Sequence, residues 1–393
     1  MAKSKYLVIG GGMTGDAACK GIRSLDPDGS IVLVGDEPDP PYARPPLTKG
    51  LWLGKEEDSI WRGTSEQGVE LRLGRSVTGL DLDARMATDD QGETYQYERV
   101  LLATGASPRM IPGVPEGVVY YRTLADYRAV RAAVEEQKQV VMIGGGFIGS
   151  ELAAALETNG AAVTMVFPEE GIGSRLFPSD LALSLNEYYR GRGVEVAAGE
   201  LVSGIERTDG SFRVTGKSGA VFAAEVVVAG LGVVPRVELA EAAGIATEDG
   251  IPVDDRGRVT GWDDVFAAGD VARFPAAGLG ERLRVEHEDH AKSHGHLVGR
   301  NMAGADEPYD HLPFFYSDLF ELGYEAVGVL DSRLETLAEW VEPYRKGVVC
   351  YRDASGHPRG FLLWDVWGKV DAARALIGAG NPVDAGALRE LLA

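Results

Sequence analysis

Cysteine is scarce: Cys19 and Cys350 are the two in 393 residues. That excludes a disulfide framework and favours a reducing, cytoplasmic home. The two do not form a CxxC or CxxxxC pair, so disulfide or peroxide reduction by a protein thiol is disfavoured, and Cys19 reads as packing on a helix. No apolar run reaches the length needed to span a bilayer. The N-terminal MAKSK leads straight into an expected strand, with no signal or transit peptide. Basic residues are also in deficit, with 39 Lys and Arg against 60 Asp and Glu and a net charge of −21. Such a surface repels phosphate backbones and anionic headgroups, so neither nucleic acid nor a membrane is an expected partner.

What is present is a globular chain, 45% hydrophobic, long enough for two or three domains. Its organising stretch is VVMIGGGFIGSELAAAL, 140–156. A β-branched run enters Gly144-Gly145-Gly146-Phe147-Ile148-Gly149, and a helix-forming segment follows. Glycines at this spacing suit a tight turn, close approach of backbone N–H groups to a pyrophosphate, and helix–strand packing. The helix N-terminus adds unpaired donors and partial positive charge. The same device opens the chain at Gly10-Gly11-Gly12-Met13-Thr14-Gly15. One such motif is weak evidence; a repeat strengthens it.

The first unit reads as a strand at 6–9, a helix at 16–25 and a strand at 30–34 ending in Gly35-Asp36-Glu37. A carboxylate there is placed to grip a ribose hydroxyl or is simply a charged turn. Prolines 38, 40, 41, 45 and 46 stiffen the next loop, which carries Arg44 and Lys49 and reads as a cofactor wall or a polar surface loop. Short strands follow at 70–73, 76–81 and 99–103, closing in Ala103-Thr104-Gly105. A helix over 122–136 leads to the second unit, whose second strand, 162–167, is closed by Glu169-Glu170. Strand segments around Val194, Phe212 and 226–229 are expected to extend its sheet. Residues 264–266 and Ala267-Ala268-Gly269-Asp270 return the chain to the first domain. Beyond 313 the sequence turns aromatic, with an expected hairpin of 348–352 and 360–364 and helices near 370–377 and 384–392. The fold class is α/β: two Rossmann-like dinucleotide-binding domains plus a C-terminal α+β domain.

The paired glycine turns, the ATG turn at 103–105 and the AAGD turn at 267–270 resemble FAD- and NAD-dependent reductases with two dinucleotide domains. PYARPPLTKGLW (41–52), GGGFIGSELA (144–153), VFPEEG (166–171), RVEHEDHAKSHG (284–295), FYSDLFELGYEAVG (315–328) and KGVVCYRD (346–353) are similar to the apoptosis-inducing-factor branch. Bacterial ferredoxin and rubredoxin reductases are close cousins. The resemblance implies an FAD domain of residues 1–122 and 248–312, an NAD domain of 123–247 and a C-terminal domain of 313–393.

It also implies site residues. FAD would lie on Gly10, Gly12, Met13, Thr14 and Gly15, with Asp36 and Glu37 at its ribose. Arg44, Lys49, Val77, Ala103, Thr104, Gly105 and Arg122 would line it, with Gly269 and Asp270 at the ribityl–pyrophosphate region and His287 and Glu288 near the flavin. NADH would lie on Gly145, Gly146, Phe147 and Ile148, with Glu169 at its ribose and Arg175 nearby; Gly232, Glu286, Tyr316 and Glu325 would complete the nicotinamide end. Lys49, Glu151 and His287 would be the catalytic set, Lys49 and Glu151 orienting each other beside the flavin. A solvated lysine, and a glutamate favoured by a helix dipole, are the plainer readings.

His287, His290 and His294, spaced i, i+3 and i+7, could share a helix face as zinc ligands do; the resemblance gives His287 to the flavin instead, and no metal is expected. The presequence, basic nuclear-targeting character and long insertion of mammalian members are not visible, so chromatin binding is not implied, and Tyr316 stands where that branch usually has Trp. The expectation is an FAD-dependent NADH oxidoreductase passing electrons to a ferredoxin-type protein, a quinone or oxygen. The alternative is an NADH-sensing flavoprotein whose reduced state controls oligomer or partner contacts; a homodimer is left open.

Overall fold

The computed structural model describes residues 2–136 and 138–393. The chain divides into two compact units: 1–44, 56–107 and 234–313 form the first, and 45–55, 108–233 and 314–393 the second.

The first unit is built on a five-stranded parallel sheet in the order Val265–Ala267, Arg99–Leu102, Tyr6–Ile9, Ile31–Gly35, Val69–Leu73. Tyr6 lies opposite both Ile31 and Arg99, so the central strand is paired along its whole length. Such a strand is covered on both faces and reads as a continuous apolar run; all four of its residues are buried. Helices Met13–Arg23 and Glu288–Met302 meet at backbone contact. A Cβ at Gly21 would lie 2.1 Å from the His296 carbonyl oxygen, and one at Gly299 would lie 2.1 Å from that of Ala18. A smaller sheet of Val77–Asp81, Met86–Asp89, Thr94–Gln96 and Ala2–Lys3 completes this unit's main sheets.

The second unit holds another five-stranded parallel sheet, ordered Val119–Tyr120, Val226–Ala229, Gln139–Ile143, Ala162–Phe167, Glu195–Ala198. The segment around Phe212 does not extend it. Ser211–Gly216 alternates buried and exposed residues and pairs with Val202–Thr208 and Val221–Ala224 in a separate antiparallel sheet. Alternation of that kind suits a sheet with one wet face. The C-terminal part of this unit is an antiparallel sheet of Phe314–Leu319, Leu322–Gly328, Pro358–Trp364, Lys346–Arg352 and Glu335–Glu342, followed by helices Val370–Ala379 and Ala385–Leu392. Its aromatics are largely core: Tyr324 and Trp364 are buried and stack at 5.4 Å, and the Phe177 ring meets both edge-on.

The proline-rich loop is divided between the units, which meet in sequence at Arg44 and Pro45. Residues 45–55 are held in the second unit by aromatic anchors. Trp52 Nε1 donates to the Leu47 carbonyl at 2.7 Å, the Tyr121 hydroxyl donates to the same carbonyl, and Trp52 packs edge-on against Tyr127.

Candidate functional site: two glycine turns and a buried ion pair

The two glycine turns are near-copies. Gly10 has φ +128° and Gly144 φ +114°, conformations that side chains rarely adopt. A Cβ on Gly10 would stand 2.0 Å from the Ala103 carbonyl oxygen, and one on Gly144 would stand 2.3 Å from that of Gly230. The last glycines, Gly15 and Gly149, pack against their own turns, with Cβ positions 2.1 and 2.0 Å from the oxygens of Gly10 and Gly144. The middle glycines differ. Gly12 and Gly146 have ordinary φ values of −86° and −85°, and a Cβ on either meets nothing within 4 Å. Each is the N-cap of its helix, Met13–Arg23 or Phe147–Thr158, and neither makes a side-chain cap bond. Both turns therefore present uncapped helix N-termini to open space, which is what an anion needs. Met13 and Thr14 are buried beside the first turn; Gly145 is buried behind the second, Phe147 is half-buried and Ile148 is 37% exposed.

The acidic ends of the second strands are already held by cations. Asp36 accepts from Arg236 Nη1 at 2.6 Å. Burial opposes its charge, yet Arg236, and Arg44 more weakly, hold the Asp36 carboxyl below the ordinary range. Glu37 is bound by Arg44 and by the Tyr42 hydroxyl. Glu169 accepts from Arg175 Nε at 2.8 Å.

Elsewhere in the first unit, the Thr104 hydroxyl donates to the Arg236 carbonyl at 2.7 Å, and Gly105, next to Ala103-Thr104, has φ +70°. Gly269 has φ +72°, and a Cβ there would meet Thr14 Oγ1 at 2.1 Å. Asp270 follows in a 3-10 turn and its charge reaches both Arg44 and His287. Val77 begins a strand of the smaller sheet. His287 is the N-cap of helix Glu288–Met302; burial pushes its imidazole down to about 4, against the pull of Asp270 and Asp289. Glu286 pairs with Arg284, and Glu288 with Lys292 at 3.2 Å. Glu286 thus belongs to the first unit, although the sequence resemblance implies a place beside NADH; Arg122, implied beside FAD, lies in the second.

The second unit gathers Lys49, Glu151 and Tyr316. The Lys49 ammonium pairs with Glu151 Oε1, its side chain 13% exposed and that of Glu151 8%. Thr48 Oγ1 donates to Glu151 Oε2 at 2.6 Å, and Ser317 Oγ donates to Oε1 at 2.6 Å. Lys49 Nζ lies 5.2 Å from the centre of the Tyr316 ring and 4.0 Å from Asp318 Oδ2. Glu325 faces Tyr316 across the strand pair and accepts from the Gly368 N–H at 2.9 Å. Gly232, φ +79°, accepts from the Arg109 N–H at 2.9 Å. Thr48, Ser317, Asp318 and Arg236 are partners that sequence reading missed, being hydroxyls and charges without a motif.

His290 and His294 do not share a ligand face with His287, which sits outside the helix as its cap. They are fully buried, stacked on each other at 4.7 Å, and His290 stacks on Phe274 at 4.4 Å. No group of three or more His, Cys, Asp or Glu suited to a metal ion occurs among the described residues. Both cysteines are buried; burial pushes the Cys350 thiol up to about 12 and that of Cys19 higher.

Residues 4–295 match the pyridine nucleotide-disulphide oxidoreductase family. The chain belongs to that family. Residues 298–343 match the C-terminal domain of mitochondrion-associated apoptosis-inducing factor. The chain is 32% identical to apoptosis-inducing factor 1 of Dictyostelium discoideum, over 95% of its own length and 78% of the relative's. It is 31% identical to the ferredoxin–NAD(+) reductase component of the anthranilate 1,2-dioxygenase system of Burkholderia cepacia, over 98% and 96%. Among solved structures, the putidaredoxin reductase–putidaredoxin complex superposes with a TM-score of 0.90 at 25% identity, covering 100% of this chain and 99% of that one.

As a family member the chain is a flavoprotein oxidoreductase that uses FAD and NAD(H). Its residues fit both groups: each glycine turn offers an uncapped helix N-terminus and an open place where only a missing Cβ leaves room for a pyrophosphate. No helix among the described residues is long and apolar enough to cross a membrane.

Proposed function

We propose that the chain is an NADH-dependent reductase that feeds electrons through FAD to a one-electron carrier of the ferredoxin type. The observation that carries this is the duplicated turn, one in each unit, with its open middle glycine. FAD is assigned to Gly10, Gly12, Met13, Thr14 and Gly15 in an FAD domain of 1–122 and 248–312; NADH is assigned to Gly145, Gly146, Phe147 and Ile148 in an NAD domain of 123–247. When bound, FAD supplies an isoalloxazine that takes hydride and gives up electrons singly or in pairs.

The chain's own residues supply the setting. The N–H groups behind Gly12 and Gly146 bind pyrophosphate. Glu169 accepts from a ribose hydroxyl and repels a phosphate in its place, which favours NADH over NADPH. Lys49, fixed by Glu151, whose carboxylate Thr48 and Ser317 hold in turn, places an ammonium for the reduced cofactor. Tyr316, beside that ammonium, offers a face to the nicotinamide. His287, half-buried and neutral near pH 7, adds no charge. Lack of a reactive thiol supports direct electron delivery, and the ferredoxin reductase likeness over nearly the whole chain favours a small redox protein above quinone or oxygen.

Anaerobic reduction by NADH, followed by mixing with ferredoxins, a soluble quinone or oxygen, tests the reading. Reoxidation by at least one ferredoxin in milliseconds to seconds is expected. A flavin reduced readily but reoxidised slowly by everything offered would overturn it in favour of an NADH sensor.

A further inference from the structure

The Lys49 ammonium has two carboxylates within reach, and something decides between them. Glu151 Oε1 holds it in the buried interior, while Asp318 Oδ2 stands 4.0 Å away on a side chain 51% exposed. Ser317 lies between Tyr316 and Asp318 on strand Phe314–Leu319 and is itself fully buried. Side chains alternate along a strand. Phe315 and Ser317 turn to helix Phe147–Thr158, the first through an edge-on contact with Phe147 at 5.1 Å, the second through its bond to Glu151 at 2.6 Å. Tyr316 and Asp318 are the residues of this strand that approach Lys49 Nζ.

We propose that Ser317 is a positioning residue: by sharing Oε1 of Glu151 with Lys49, it locks the carboxylate so that the ammonium stays on Glu151 and off Asp318. The inference rests on the role given to Lys49 and Glu151 under the proposed function. A glutamate carboxyl turns easily about its last torsion, and three donors on two oxygens remove that freedom: Thr48 on Oε2, Ser317 and Lys49 on Oε1. Satisfying all of them is also what makes a buried charge pair tolerable. Asp318 behaves as the losing competitor: partial burial raises its carboxyl above the usual range, and the Glu151 charge adds to this, although Lys49 pulls the other way. Had Lys49 settled on Asp318, that carboxyl would sit low. Ser317 also ties the lysine's position to the helix whose N-terminus carries the NAD-type glycine turn, so one side chain links the dinucleotide element, the fixed charge and the Tyr316 strand.

The test is the midpoint potential of the FAD-loaded full-length protein, with thermal stability measured alongside. Ser317→Ala should let Lys49 drift toward Asp318 and make the reduced cofactor about tenfold less favoured, a shift of about 30 mV for a two-electron couple. Ser317→Thr, which keeps the hydroxyl, should restore the wild-type value. Ser317→Ala combined with Asp318→Asn should recover most of it, because the competing carboxylate is gone; a residue that merely fills space would show neither rescue. Lys49→Met separates the two readings. If it shifts the potential while Ser317→Ala does not, the inference falls and the role of Lys49 stands. If neither shifts it, both fall.

Discussion

Replacing Gly146 by alanine should weaken nicotinamide dinucleotide binding at least tenfold without harming the fold. Gly146 has φ −85°, which alanine adopts freely, and its added Cβ meets no protein atom within 4 Å. At an N-cap, exchanging Gly for Ala costs at most a few tenths to about 1 kcal/mol, partly offset by a less flexible unfolded chain. The melting temperature should therefore move by no more than a few degrees. The Cβ instead occupies the space through which a pyrophosphate reaches the helix N-terminus. Losing one or two hydrogen bonds to a charged group removes roughly 1.5–3 kcal/mol each, or about a 10- to 10,000-fold rise in Kd for NADH. Gly12→Ala should do the same for FAD, leaving a folded protein that purifies colourless. Gly144→Ala is the contrast. Its φ is +114° and the new Cβ would stand 2.3 Å from the Gly230 oxygen, so backbone strain of about 1–3 kcal/mol and a displaced strand end should destabilise the protein with or without ligand. Calorimetric NADH titration, flavin absorbance and thermal melts of the three variants decide the matter. A Gly146→Ala protein that binds NADH as tightly as wild type, or that loses FAD and keeps NADH, would refute the assignment of the turns.

Two further expectations follow from single residues. If Glu169 receives the ribose as proposed, kcat/KM should be higher with NADH than with NADPH, and Glu169→Ala, which leaves the guanidinium of its partner Arg175, should narrow the difference; equal efficiency in the wild type would refute the role. His294 is buried beside Phe274 and Tyr309 and burial pushes it down to about 3, while its unfolded value is 6.5. Below pH 6.5 the unfolded chain takes a proton that the folded chain refuses, so this stabilisation is complete above pH 6.5 and is lost progressively as pH falls toward 3. Between pH 6.5 and 5 the loss from His294 is about 1.6 kcal/mol. Urea midpoints of the FAD-loaded protein at those two pH values should show at least that drop, and a smaller one in His294→Gln; no drop in the wild type would show that the ring is protonated in the fold.

The glycine turns were legible because their chemistry leaves little choice of residue: Gly10 and Gly144 need positive φ, and Gly15 and Gly149 have no room for a side chain. The helices start earlier than composition suggests, at Met13 and Phe147 where the sequence points to 16 and 150, because glycines that look like turn residues are inside the first turn. The Phe212 segment stands outside the parallel sheet, and its alternation of buried and exposed residues is the mark of a half-wet sheet. The zinc-like spacing of the three histidines is uninformative by itself, since spacing does not reveal that His287 is a cap and that His290 and His294 spend their faces on stacking. Ser317 could not be read at all: it lies 166 residues from Glu151, and a serine in a strand carries no pattern that names its partner.

The segment after strand Ile31–Gly35 holds no cysteine, and what stands there sharpens the proposed chemistry. Pro45–Leu47 forms a 3-10 turn, and Thr48 and Lys49 follow it onto Glu151. A thiol pair stores two electrons covalently and moves them away from the cofactor; an ion pair can store none. It can only bias the cofactor electrostatically, through an ammonium whose side chain is 13% exposed and a carboxylate whose side chain is 8% exposed. Neither remaining cysteine can take over, since a buried thiol raised to about 12 or beyond is scarcely ever a thiolate. In the proposed reading every electron must therefore wait on the cofactor until an acceptor arrives, and the energy of that waiting state is set by where Lys49 stands. On that reading the three donors on Glu151 are a control on electron delivery as well as a feature of packing.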